Sequence, residues 1–143
     1  MKYFGKMIVG LAAALSFSSV FAMNAGLTLI NSTHSPFVFV SCNGIPGLPV
    51  AASALNMTFE TIHNTFNSNN VNCKFSLLGG QEIGTANLII NGASAQIVSA
   101  TTQNGYQAAI QDDAGDSITL ANNASLPAPT NSAASIEVTL KNA

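Results

Sequence analysis

Three groups of residues in this chain have types and spacings that could do chemistry: a knot of aspartates, a pair of histidines and a pair of cysteines. The aspartates stand in "QDDAGDS", where Asp112, Asp113 and Asp116 surround Gly115. Three carboxylates at one turn can gather a hard cation such as calcium through oxygen ligands. The spacing departs from an EF-hand loop, which needs acids at alternate positions and a distant Glu. Asp and Gly are also ordinary turn formers for reasons of backbone geometry, so the segment reads as a polar hairpin turn and no metal ligand is assigned.

His34 in "NSTHSPF" and His63 in "TIHNTF" are the two histidines. They lie in different segments with no second ligand at a fixed spacing, which does not mark a metal centre. A Ser-His-Asp arrangement would have to unite one of them with a clustered aspartate and one of many serines, and no G-x-S-x-G motif singles a serine out. The chain therefore reads as non-enzymatic, with no catalytic, cofactor-binding or metal residue and no cofactor expected.

Cys42 and Cys73 have a different reading, and the alternation of the strands around them gives it. In "FVFVSC" a strand places Cys42 on the face of Val38 and Val40. In "VNCKFSL" it places Cys73 on the face of Val71, Phe75 and Leu77. Both sulfurs then point into apolar surroundings, and two inward thiols in an exported chain should pair. Closing a loop of about 30 residues is rated at roughly 3 to 4 kcal/mol by chain entropy. A redox or nucleophilic cysteine would need a CxxC or a neighbouring base, and the sequence has neither.

Export is read from the first residues, "MKYFGKMIVGLAAALSFSSVFA". Lys2 and Lys6 precede an apolar run from Ile8 to Val20, and small residues lead to a cut after Ala22. That is the layout of a signal peptide, and the run is short of the roughly 20 residues that span a bilayer. The expected organisation is a signal peptide over 1–22 and a single β-sandwich domain over 23–143, in a secreted or periplasmic protein without a transmembrane anchor. Beyond the cut, Lys74 and Lys141 face six acids, a net charge of −4. With two lysines and no arginine, that part cannot neutralise a run of phosphates, which argues against nucleic acid and anionic membranes as partners.

The elements that must position these groups are strands. Leu27 and Leu29 alternate with Gly26 and Thr28, and short apolar runs recur as "TANLII", "AQIVSA", "YQAAIQ", "SITLA" and "SIEVTL" between Gly- and Asn-bearing turns. This predicts an all-β, antiparallel, immunoglobulin-like or related sandwich of seven to nine short strands with one disulfide. The expected core is Val38, Val40, Phe59, Phe75, Leu77, Leu88, Ile90, Ile110, Ile118, Leu120, Val138 and Leu140. Phe37, Phe39, Phe59, Phe66, Phe75 and Tyr106 lie in apolar runs and also read as core. Residues 51–66 fit both periods, and the β-branched Thr58, Thr61, Ile62 and Thr65 favour a strand over a helix. "HNTFNSNNVN" reads as a loop, and so does the Asn, Gly and Pro stretch after Cys42.

A leader, a mature chain rich in Ala, Asn, Thr and Gly, very few charges and one cysteine pair together resemble the profile of chaperone–usher pilus subunits. That resemblance implies an incomplete immunoglobulin-like sandwich that exchanges strands with its neighbours. The ending "SIEVTLKNA" lacks the aromatic such subunits show near the C-terminus, and Cys42 falls in the second strand, so no functional residue carries over. The expected function is an exported binding or surface-interaction module whose Asn-, Ser- and Thr-rich loops contact a protein or glycan. The alternatives are a strand-exchanging structural subunit and, behind it, a small secreted hydrolase.

Overall fold

A computed structural model describes residues 24–50 and 54–143, so the expected signal peptide over 1–22 lies outside the described residues. Ten strands and one helix follow in the order β1 (Gly26–Ser32), β2 (Val38–Cys42), β3 (Ile45–Val50), β4 (Ala54–Met57), α1 (Phe59–Phe66), β5 (Asn70–Leu77), β6 (Glu82–Asn91), β7 (Ser94–Thr102), β8 (Tyr106–Asp112), β9 (Ser117–Ala121) and β10 (Ser135–Asn142). They form two five-stranded sheets, β9-β8-β10-β1-β4 and β3-β2-β5-β6-β7. The all-β sandwich is confirmed, with ten described strands where seven to nine were expected.

Every pairing is antiparallel except that of β1 with β10, which run parallel from Gly26 opposite Ser135 to Ser32 opposite Lys141. The last strand is held on both sides, by β8 and β1. β1 enters tightly: Gly26 has φ +93°, and a Cβ there would run into the Met57 carbonyl of β4, which only glycine avoids.

Alternation delivers the core. Ile110, Ile136, Val138 and Leu140 of the first sheet and Val38, Val71, Phe75, Leu88 and Ile97 of the second are all buried. Of the twelve expected core residues, Leu77 and Ile118 are only partly buried. The cysteine parity holds: Cys42 and Cys73 sit directly opposite each other on β2 and β5 and are joined in a disulfide, with a Cα–Cα distance of 4.1 Å.

Four expectations need correcting. Residues 54–66 are a four-residue strand and then a helix, because Thr58 acts as N-cap, its Oγ1 accepting from the Thr61 N–H at 3.2 Å. Asn67 closes the helix in the left-handed conformation. The "HNTFNSNNVN" tract is therefore part helix and part strand, with a short connection from Asn67 to Asn69. The stretch after Cys42 is not a loop: Asn43 and Gly44, both at positive φ, turn the chain into β3. β3 is an edge strand, where prolines are tolerated. Finally, Phe37 is 39% exposed and Phe39 is half-buried, because Phe39 has the opposite parity to Val38 and Val40 and faces out of the sheet.

Candidate functional site

The outer face of the second sheet brings small polar side chains from four strands into two adjacent rows. Ser41, Lys74, Thr85 and Thr101 lie across β2, β5, β6 and β7, each opposite the next. Beside them Asn72, Asn87 and Ser99 form the second row. With Asn43 and Gly44 of the turn, all of these but Thr101 line a trough of about 630 Å³.

Part of this lining is fixed by its own hydrogen bonds. Asn43 Oδ1 accepts from the Asn72 N–H at 2.9 Å, and Asn43 Nδ2 donates to the Asn70 carbonyl. Thr85 and Thr101 share a hydroxyl bond of 2.6 Å. The side chains of Ser41, Asn72, Lys74 and Ser99 make no hydrogen bond among the described residues, and Asn87 Oδ1 is buried without a partner. One further row along β2, Phe39 packs against Phe37 with ring centroids 6.4 Å apart. Among the described residues the trough thus combines unengaged donors and acceptors, one cation and a neighbouring pair of rings.

The interior holds a second concavity, a cavity of about 180 Å³ between the sheets, under α1 and the edge strands β3 and β4. Its walls include Leu29, Val71, Leu88, Val138 and the disulfide. α1 covers it without filling it, since the helix buries only Phe59 and Ile62.

The aspartates tie the chain together. Asp112 Oδ1 accepts from the Ala114 and Asp116 N–H groups, both at 2.9 Å. Asp113 Oδ1 accepts from Ala134 and Ser135 at the start of β10, and Asp116 Oδ2 from Asn131. The carboxylates therefore knit the β8–β9 turn to the Asn122–Ala134 connection. Asp112 is 1% exposed and its Oδ2 has no donor. Burial, followed by the hydrogen bond it makes to the Asp116 carboxylate when protonated, pushes its pKa up to about 6. Among the described residues no three His, Cys, Asp or Glu side chains are grouped to hold a metal ion.

The histidines stay apart. His34 is exposed in the turn after β1, its backbone N–H donating to Asn142 Oδ1. His63, on α1, lies in a small concavity with Glu60, Asn69, Ile90, Gly92 and Ala93, where no serine or aspartate stands among the described residues. Its Nδ1 is buried without a partner.

Parity alone would have marked Ser41, Asn72, Asn87 and Ser99 as outward, but their convergence needs the strand order 2-5-6-7, which no local pattern encodes. Compared with family models, with curated proteins and with solved structures, the chain matches none. No described helix is long and apolar enough to cross a membrane.

Proposed function

We propose that this protein is an exported, non-enzymatic binding module that holds a glycan in the trough on the outer face of its second sheet. The observation that carries this reading is a concave trough of hydroxyl and amide side chains with an aromatic pair one row beyond it on β2. Sugars present hydroxyls to be hydrogen-bonded and an apolar ring face to be stacked on an aromatic side chain. Among the described residues Lys74 is the trough's one charge and no carboxylate stands in its lining, so an acidic sugar fits better than a neutral one.

Secretion is part of the proposal, supported by the leader-like first residues and the disulfide. The strand-exchange alternative asks for a vacant place in a sheet. Here β10 is already flanked by β8 and β1, which favours the trough.

The test is an NMR titration with neutral and uronic acid oligosaccharides. Shifts should concentrate on Ser41, Asn72, Asn87 and Phe39. Lys74→Ala should weaken acidic sugars at least tenfold while moving stability by no more than about 0.5 kcal/mol, as surface changes do. If no oligosaccharide perturbs these residues, the reading fails.

A further inference from the structure

We propose that the cavity between the sheets is a second binding site, for one small, neutral, apolar molecule the size of a benzene ring or a short alkyl chain. It lies on the inner side of the second sheet, away from the outward rows of the trough, and stands independently of the glycan reading.

The lining decides the chemistry. Of the seventeen described residues that line it, sixteen are apolar or belong to the disulfide, and the exception is Thr65. The Thr65 hydroxyl is already engaged, donating to the Thr61 carbonyl at 2.7 Å. A buried water needs two to four polar partners, and these walls do not supply them. Voids of about 150 Å³ lined by aliphatic and aromatic side chains stay dry and take up benzene or xenon. At about 180 Å³ this cavity has room for the same class of molecule. Among the described residues no charged one lines it, so a carboxylate or ammonium would meet no partner there, which disfavours charged ligands.

A route inward exists at the edge of the sandwich. Ile45, 45% exposed, belongs both to the surface and to the cavity wall. Beside it α1, eight residues long, is seated by Phe59 and Ile62 and contributes Thr65 and Phe66 to the wall. A short helix so attached can tilt more cheaply than a strand can leave its ladder. A small apolar molecule would recover the contacts that the wall atoms lack.

The experiment is an NMR titration of the oxidised protein with benzene, followed on the methyl groups. Saturable shifts should appear at Leu29, Val71, Leu88 and Val138, with half-saturation below about 1 mM. Ala86→Leu places a larger side chain on the wall and should weaken benzene at least tenfold. Shifts that never saturate, or that scatter over the outer face, overturn the proposal, as does a folded Ala86→Leu variant that binds unchanged. Should that variant not fold, xenon decides on the unmodified protein: benzene must displace xenon competitively from the same methyl set, and independent binding of the two overturns the site.

Discussion

The two flanks of the sandwich are closed by different means. On one flank the Asn122–Ala134 connection runs along the edge of β7 and pairs with it almost as a strand would. Leu126 N–H donates to the Ala100 carbonyl at 2.8 Å, and Ala95 and Ala133 exchange two bonds of 2.9 Å. At Thr130 the backbone N–H donates to the Ile97 carbonyl while the Thr130 hydroxyl accepts the Ile97 N–H at 3.0 Å. On the other flank β3 and β4 end their sheets, and α1 lies over the gap. Directional bonds hold the first flank in register and leave β7 no free edge. The second is covered by apolar side chains from a short helix, and a cavity persists beneath it. Hydrogen-bonded closure fixes positions atom by atom, whereas hydrophobic closure with few anchors tolerates a void.

The largest effect expected from breaking this contrast is on the helical flank. Phe59 is 2% exposed and is one of two anchors of α1. Phe59→Ala should cost about 3 to 5 kcal/mol in chemical denaturation, and amide exchange should show α1 and β4 losing protection while the β7 flank keeps its own. Uniform loss of protection would mean that the flanks do not open separately.

The next effect tests the carboxylate that shapes the β8–β9 turn, whose Asp113 and Asp116 hold the bonded flank. The folded-state pKa of Asp112, about 6, lies above its ordinary 3.8. Protonation therefore favours the folded protein: the contribution is complete below about pH 4 and is lost as pH rises through 6. Asp112→Asn keeps the acceptor for Ala114 and Asp116 and carries no charge. It should be more stable than the unmodified protein at pH 7.5, by up to about 3 kcal/mol at roughly 1.4 kcal/mol per unit, with the gap closing by pH 4. Thermal melts across that range check it, and a gap independent of pH would break the assignment.

The smallest effect should come from Thr130→Val. The substitution keeps the shape and removes the acceptor for the Ile97 N–H, so a cost of about 1 to 3 kcal/mol is expected from one buried donor left unpaired. Melting curves indistinguishable from those of the unmodified protein would show that the connection drapes over β7 without sealing it.

How much of this was legible depended on range. β5 was readable because Val71, Cys73 and Phe75 alternate with Asn72 and Lys74, and a strand buried on one face must alternate. The same parity placed the disulfide. The helix is hidden from the pattern because its β-branched residues count toward a strand, while Thr58 and Asn67, which cap it, sit outside the hydrophobic pattern. β3 is masked in the sequence because prolines normally end strands, and whether a strand is an edge is a tertiary fact. Apolar character alone points Phe37 and Phe39 to the core, although the parity that buries Val38 and Val40 turns Phe39 outward. The trough and the cavity depend on which strands lie side by side and how well two surfaces fit, and neither is written in a local run of residues.

The parallel pairing of β1 with β10 has a mechanical consequence. Because the two strands point the same way, the chain leaves β1 backwards from Gly26 at one end of the ladder and leaves β10 forwards from Asn142 at the other. Tension applied between those two points runs along the strands and loads the whole register from Gly26–Ser135 to Ser32–Lys141 at once, in shear. An antiparallel pair held by the corresponding ends would peel open one bond at a time. Stretching single molecules from these two points should therefore meet its main resistance at this ladder, near the middle of the first sheet, and not at either flank.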